Sequence, residues 1–589
     1  MTHTLPRFRW KTETTDAAVV DALVARFGLP RPVAGVLVAR LADDASAERF
    51  LDPRLLHLGD PLVFPGIADA AARIWTAIRN RELMVVFGDF DADGVTATAL
   101  LSDALRALGG HVEVFLPDRV QEGYGLTRAA LERCLREHPA QLLVTVDCGI
   151  CSCDEVALAQ SRGVDVIVTD HHEPGARLPE ARVVVNPRLG ASAGAEHLCG
   201  AGVAFKLAHA LVKIGRMDGN AAAMAYDVRQ WMDAVAVATV ADVVPLVGEN
   251  RILVSAGLAS LGRRPRMGLQ ALKNRAGLTG EVTSHHLAFV LGPRINAAGR
   301  MRTAWPALRL LVATDRDAAL ALAVELEQLN AERRGVESDL VAEAEAQLRL
   351  ASPAGAVVVA GPDWHVGTIG IVAARLADAW NLPAAVLSLA PDGSGRGSVR
   401  GGRGDNVIAA LTACADLLTG YGGHPRAAGF QLRPGALESF RDRFGAVCLN
   451  QRAGGDSRPI LVVDGWLTAA DIGPGLWQAL QRLEPFGEGH ARPRWGLRNL
   501  TLSARPTPVG GSGEHLRLAF SASGTPISGV WFKMGRLSEA VAQAGPRFDA
   551  AFELRENTFG GRTSLEMQVV DLRPAGIHGS LCSGKREEA

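Results

Sequence analysis

The sequence predicts an α/β protein: a parallel-sheet domain and a second α/β domain joined by a long helix, followed by a small β-barrel or sandwich. Three observations predict it. Between residues 81 and 185, short Val/Ile/Leu runs alternate with helical stretches, the pattern of a parallel sheet covered on both faces. Over 315–350 apolar residues recur at helical spacing. From about residue 459, short alternating runs are separated by Gly, Pro and Ser turns.

In chain order, residues 1–80 hold helical stretches at 16–27 and 45–51 and no recognisable chemistry, so this segment is expected to pack on the core. Strands are expected at 83–87, 112–116, 142–146, 164–168 and 182–185. Reactive groups of such sheets lie just past the carboxyl ends of the strands. Here those positions read Gly88-Asp89-Phe90-Asp91-Ala92-Asp93-Gly94, Asp147-Cys148-Gly149 and Asp170-His171-His172. The connecting helix has Thr314 or Asp315 as its cap and an expected break near Gly335. The second α/β domain is read from strands at 356–360 and 383–388, a helix over 369–380 and a Gly-rich run ending at Gly423-His424. Runs at 516–520, 548–554 and 565–570 mark the barrel or sandwich, and the tail beyond 577 is expected to be disordered.

With 589 residues, 48% hydrophobic and 21% charged, the chain is long enough for about three or four domains at roughly 150 residues each. No apolar run reaches the roughly 18 residues of a membrane span, and residues 1–10 lack the apolar core of a secretory leader. A cytoplasmic protein with no membrane partner is the expectation. Eight cysteines in such a chain form no disulfide framework, and Cys148, Cys151 and Cys153 are read as packing residues. A net charge of -1 excludes a global basic field. The excess of Arg over Lys has two readings, genomic base composition or a use for forked phosphate donors. GxxxxGK[ST] and HExxH are absent, which argues against a P-loop nucleotidase and a zincin. Arg403-Gly404-Asp405 and the Gly-Ser-Gly turns are read as loops.

Asp89, Asp91 and Asp93 alternate directly after a buried strand, and crowded carboxylates repel unless a cation sits between them. Asp147, Asp170-His171-His172 and Asp242 add to them. Mixed carboxylate and imidazole donors favour manganese or magnesium over a closed zinc site. At least four carboxylates and one or two imidazoles suffice for two metals bridged by one Asp, and such pairs hydrolyse phosphate esters or anhydrides. For the substrate, Arg119 is a candidate phosphate contact and Tyr124 a base-stacking one. Arg294, Arg300, Ser394 and Arg396 are candidates for clamping a terminal phosphate. His424 is read either as facing the cleft or as a structural histidine.

GDFDADG (88–94), VTVDCG (144–149), VTDHHEPG (168–175) and ADVVPL (241–246) resemble the four motifs of the DHH phosphoesterase superfamily, and Gly422-Gly423-His424 resembles its associated second domain, DHHA1. Segments 198–207, 291–300, 364–375 and 484–487 resemble more narrowly its bacterial single-strand-specific 5′→3′ exonucleases, over about residues 80–575. The resemblance implies metal ligands at Asp91, Asp93, Asp147, His171 and Asp242, with Asp147 bridging. It implies supporting or secondary roles for Asp89 and Asp170, and a His172 that orients or contacts the scissile phosphate. Many members have His where this chain has Phe87, which implies a weaker second metal site completed by Asp89. The domains implied are a DHH domain over 81–310, the helix over 311–350, a DHHA1-type domain over 351–452 and an OB-like barrel over 453–576 that holds incoming strand. The function implied is metal-dependent degradation of single-stranded DNA to 5′ mononucleotides in recombination and repair. A single-strand-binding protein and a helicase are the implied partners, and a monomer is expected. Two alternatives stand beside it: a phosphodiesterase for short RNA or small phosphates, and a nucleic-acid-binding scaffold with an inactive metal site.

Overall fold

Leu83–Phe87 (β1), His111–Phe115 (β2), Leu142–Val146 (β3), Asp165–Thr169 (β4) and Val183–Val185 (β5) form one wholly parallel sheet in the order β2-β1-β3-β4-β5. Each lies within one residue of its expected position. The central strand β3 is buried along its whole length, so both faces are apolar and the alternation of a half-exposed strand is missing. The computed structural model describes residues 5–576 apart from 42–43, 120, 191–193, 351–352, 403, 453–457 and 560–561. The expected disordered tail over 577–589 lies outside the described residues, as does Arg403.

Small residues set the helix packing on this sheet. Ala92–Ala107 (α1) is buried over nearly its entire length and packs against Gly200–Met217 (α2), both of them rich in buried Ala. Met232–Ala241 (α3) adds a buried Ala/Val helix, and Gly292–Met301 (α4) follows a π-helical turn at Leu287–Leu291. Arg316–Leu350 (α5) then runs unbroken for 35 residues. The break expected near Gly335 does not occur, because a lone Gly with no steric conflict costs only about 1 kcal/mol in a helix otherwise held by its buried face.

Val357–Pro362 (β6), Ala384–Leu389 (β7), Gly395–Arg400 (β8), Leu418–His424 (β9) and Ala427–Leu432 (β10) make a second sheet in the order β9-β10-β8-β7-β6. Ile369–Trp380 (α6) covers one face. Within this sheet only β6 and β7 pair in parallel; the Gly-rich run spans β8 and the antiparallel hairpin of β9 and β10. These elements belong to one compact unit, Pro53–Gly455 with Pro485–His490.

The other compact unit is Met1–Asp52, Asp456–Glu484 and Ala491–Ala589. Its strands Trp495–Leu502, Arg547–Phe559, Arg562–Pro574, Thr525–Trp531 and His515–Ala522 pair in that order, and the last pairs back to the first, closing a barrel. One expectation is corrected here. Residues 1–80 do not pack as one segment on the core: Arg9–Thr12 pairs in parallel with Ile460–Val463 of the barrel unit, while Ile67–Asn80 packs beside the first sheet. Buried Asp571 explains the split. It accepts hydrogen bonds from Arg7 N, Phe8 N and Trp10 Nε1, and Trp10 and Trp466 flank the Arg573 guanidinium. Among the described residues, no single helix is long and apolar enough to cross a membrane.

Candidate metal centre

The acidic side chains come from several elements, and Asp89, Asp91 and Asp93 are anchored by backbone N–H groups. Asp91 caps α1, its Oδ1 accepting from Asp93 N and Gly94 N at 2.9 and 3.0 Å. Asp93 reaches the start of α2, where Gly200 N and Ala201 N donate to it at 2.6 and 2.8 Å. Asp89 Oδ1 accepts from Phe90 N, and Gly94 must lack a Cβ because one would lie 2.5–2.8 Å from Asp89. Asp147 ends β3 with φ +62°, and Val243, which follows Asp242 at the end of α3, has φ +60°. Positive φ is costly for a β-branched residue, and it is tolerated here beside a candidate site.

These elements converge on His171. Its Nε2 lies 3.1 Å from Asp147 Oδ1, 3.6 Å from Asp242 Oδ2 and 3.7 Å from Asp93 Oδ2. Yet Asp89 Oδ2, Asp147 Oδ1, His171 Nε2 and Asp242 Oδ2 are buried and make no hydrogen bond within the described residues. Several buried acceptors aimed at one another without donors is the arrangement a divalent cation satisfies, so the donor set fits a metal. The electrostatics agree. Burial first, then Asp91, pushes Asp89 up to about 8 and Asp93 up to about 6. Burial and neighbouring carboxylates hold Asp147 and Asp242 well above the ordinary range. Burial, aided by His172, depresses His171 to about 3, leaving its imidazole neutral as a ligand must be.

A second layer orients the imidazoles. Asp170 receives Ile150 N, His171 N and His172 N, and its Oδ1 lies 2.7 Å from His172 Nδ1. Burial alone would raise Asp170, but these hydrogen bonds, His172's first, hold it below the ordinary range. Burial likewise disfavours the His172 cation, and the Asp170 bond overrides it, raising His172. His172 Nε2 meets the Tyr124 hydroxyl at 2.7 Å. Sequence reasoning missed the residues behind this pair: buried Asn186 donates to the His172 carbonyl and Arg188 Nε to that of His171. It also missed Asn296, whose Oδ1 accepts from Ala92 N and ties α4 to the acidic loop. Phe87 stacks on Phe115 in the apolar layer, ring centroids 5.0 Å apart, so its side chain belongs to the core.

The expected phosphate contacts separate. Arg119 lies over the Phe90 ring at 4.9 Å, within the field of Asp89 and Asp91. Arg300 donates to the Gly367 carbonyl; burial first, then Arg119, brings it down to about 10. Arg294 is not in this group: it is tied to Glu327 of α5 at 2.6 Å and to the Val290 carbonyl. Ser394 and Arg396 are also displaced from it, since Ser394 bonds Asp392 and both line a separate cavity of about 580 Å³ with Asp363, Ser388 and Gln431. Arg400, at the other end of the same strand, sits where burial and Arg119 lower its pKa. Its Nη1 donates to Ser398 Oγ, and both lie at the N-terminus of α6, 3.1 and 3.2 Å from where a Cβ on Gly370 would be. Ser394, Arg396, Ser398 and Arg400 alternate at period two along β8 and the residue before it, with Ser394 and Arg396 at the cavity end and Ser398 and Arg400 at the end beside α6. His424 is exposed at the tip of the β9–β10 hairpin and is not brought to the metal cluster.

Comparison with known proteins places this geometry in a family. Residues 83–239 match the model for the DHH family N-terminal domain, 354–450 that for the DHHA1 domain and 463–571 that for the RecJ OB domain. The single-stranded-DNA-specific exonuclease RecJ of Bacillus subtilis is 35% identical over 573 residues, 96% of this chain and 71% of that one. The chain belongs to the RecJ family. RecJ of Thermus thermophilus is 37% identical over 538 residues, covering 90% of this chain and 74% of its own. The crystal structure of Thermus RecJ in complex with Mn2+ superposes with a TM-score of 0.82 at 34% identity over 97% of this chain and 80% of that one. The Mg2+ complex of the same RecJ gives a TM-score of 0.76. Membership in the RecJ family identifies the closed barrel as the OB domain and the two sheets as DHH and DHHA1 domains.

Proposed function

We propose that this chain is a metal-dependent exonuclease that degrades single-stranded DNA from its 5′ end to 5′ mononucleotides. The observation that carries the reading is a cluster of buried, unpartnered metal-type donors beside a group of arginines with no carboxylate partner among the described residues: Arg119, Arg300 and Arg400. Asp91, Asp93, Asp147, His171 and Asp242 would hold manganese or magnesium, with Asp147 shared between two ions and Asp89 supporting the second. When bound, the ions would supply water activation and charge stabilisation for hydrolysis of a phosphodiester. The chain's own groups do the rest. Asp170 favours the protonated form of His172 and would turn it toward the substrate side, where it would donate to an oxygen of the scissile phosphate. Tyr124 fixes His172 Nε2 before substrate arrives and offers a ring that is 55% exposed. Arg119, Arg300, Arg400 and Ser398 would grip a terminal 5′ phosphate bidentately, so that cleavage counts from the end.

As parts of the same proposal we put recombination and repair as the setting, a single-strand-binding protein and a helicase as partners, a monomeric state and a cytoplasmic location. The domain limits 81–310, 351–452 and 453–576 are proposed with them. The test uses a labelled oligonucleotide as single strand, duplex and RNA, bearing 5′ phosphate or 5′ hydroxyl, with Mn2+, Mg2+ or EDTA. Single-stranded DNA alone should be shortened from its 5′ end, and EDTA or Asp147→Ala should stop it. Arg400→Ala should erase the preference for a 5′ phosphate. Equal cutting of RNA, or digestion that survives EDTA, refutes the reading.

A further inference from the structure

Pro485–His490 belongs to the unit that holds the metal centre, although its flanks Glu484 and Ala491 belong to the barrel unit. It overlaps the motif at 484–487, which neither the metal cluster nor the arginine group uses. Gly487 N donates to the His490 carbonyl at 2.9 Å and His490 N to the Gly487 carbonyl at 3.2 Å, closing a two-residue turn in which Gly489 has φ +67°. Phe486 and His490 are buried and stack, ring centroids 5.1 Å apart. The surrounding unit grips the turn by its carbonyls. Arg251 Nη1 donates to that of Pro485, Ser284 Oγ to that of Phe486, and Leu246 N to that of Glu488 at 2.8 Å. Arg251 and Ser284 are themselves buried, so the grip is part of the core.

What the turn presses on is the loop that follows Asp242. A Cβ on Gly489 would stand 2.8 Å from Pro245 Cβ, and one on Gly487 2.6 Å from Leu246 Cδ1, so the two glycines let the turn lie directly on that loop. Pro245 is also held by Asn250 Nδ2, 3.0 Å from its carbonyl. Between these fixed residues and the end of α3 sits Val243 at φ +60°, a conformation that a β-branched residue keeps only where its surroundings impose it. Its side chain is 64% exposed, so no packing of its own imposes it. The constraint comes along the backbone, from Pro245 and Leu246. Released, Val243 would relax to negative φ and turn the peptide that follows Asp242, whose Oδ2 now lies 3.6 Å from His171 Nε2. We propose that the turn Pro485–His490 is a positioning element of the metal centre: by clamping Pro245 and Leu246 it holds Val243 in the left-handed conformation and so aims Asp242 at the ion. The inference rests on the reading of Asp242 as a metal ligand and adds to it a device carried by a distant segment of the chain.

The experiment follows Mn2+ binding by calorimetric titration, with kcat and KM on a 5′-phosphorylated single strand, in the full chain. Gly489→Ala forces a Cβ onto Pro245 and a side chain into a left-handed position. It should weaken Mn2+ binding and lower kcat, each about 10–100-fold as for groups that orient a metal ligand, with KM for the strand unchanged. Ser284→Ala releases the turn more gently at Phe486 and should shift both quantities in the same direction, so it decides the matter if Gly489→Ala does not fold. Val243→Gly is the rescue, because glycine holds positive φ without strain. In the Gly489→Ala or Ser284→Ala background it should recover most of the lost Mn2+ affinity. Wild-type Mn2+ affinity in Gly489→Ala and Ser284→Ala, or no recovery with Val243→Gly, overturns the positioning role. Wild-type affinity in Asp242→Asn would overturn the ligand assignment, and the positioning role with it. A wild type that binds Mn2+ but digests no strand overturns the exonuclease reading alone, and the Mn2+ titrations then decide the turn.

Discussion

Gly200→Ala is the substitution whose consequence the geometry fixes most closely. A Cβ at this position would stand 2.6 Å from Asp147 Cβ, 2.7 Å from its Oδ1 and 2.8 Å from its Cγ. Ordinary contact needs 3.4 Å or more, so either the start of α2 or the Asp147 carboxylate must move by more than half an ångström. Neither moves freely. Asp147 is 2% exposed with its backbone at φ +62°, and the amides at the start of α2 hold Asp93. Overpacking of this kind costs about 1–3 kcal/mol of stability. At the centre it shifts two candidate ligands relative to each other, and displacements near 1 Å lower rates about 100-fold. Calorimetric titration with Mn2+ and single-turnover digestion should both show the loss. Gly202→Ala is the control, because its Cβ would meet only the Leu198 side chain, nearest at 3.0 Å. A Gly200→Ala protein with wild-type Mn2+ affinity and rate would refute this account of the site.

Asp147→Asn should lower activity more than about 100-fold, beyond the usual penalty for a residue that only orients a ligand. It should also leave the EDTA-treated protein at least as heat-stable as wild type, since it removes a buried charge from among other carboxylates; a large fall in the metal-free midpoint would contradict that. The pH dependence of the metal-free protein has a definite sign. Asp89 and Asp93, raised to about 8 and about 6, keep protons that the unfolded chain has released. Stability in EDTA should therefore fall as pH rises from about 4 to 8, on the order of 1 kcal/mol per unit for each proton retained. Mn2+ should restore more stability at pH 8 than at pH 5, and a flat or rising melting profile in EDTA would count against the raised carboxyls. Asp571→Ala leaves the donors Arg7 N, Phe8 N and Trp10 Nε1 without their acceptor, and should cost about 1–3 kcal/mol in the barrel unit. Limited proteolysis should then cut within residues 5–15, while Mn2+ affinity stays unchanged; an intact N-terminal segment would show that other contacts hold it.

Much of the site was legible because parallel sheets place chemistry at strand ends. The continuous apolar runs located β1, β3 and β4, and the acids directly after them are those the structure brings around His171. Asp242 was legible only through its motif, since it arrives from a helix end with no strand before it. The phosphate contacts were harder to read, because an arginine's partner is a tertiary fact. Arg294 and Arg300 lie on the same helix six residues apart, yet one pairs with Glu327 and the other faces Arg119 and Arg400. The placement of Arg7–Trp10 depends on Asp571, more than five hundred positions away in sequence, and no local pattern encodes that.

The hydrogen bonds also separate carboxylates that look equivalent in sequence. Asp170 is engaged at Oδ2 by Ile150 N and at Oδ1 by two amides and the His172 imidazole, which ties it to His172. Asp89 has one oxygen held by Phe90 N and the other buried and unpartnered, and Asp147 and Asp242 each present an unpartnered oxygen as well. Anchoring one oxygen while exposing its twin fixes direction without satisfying charge. Asp170 therefore acts through His172, and substituting it should change the pH profile of turnover more than metal affinity. The residues with open oxygens should show the reverse. On the same criterion Asp89, which sits beside Asp91, is the one to watch for a second ion: its burial is too deep for an unpaired carboxylate near neutral pH.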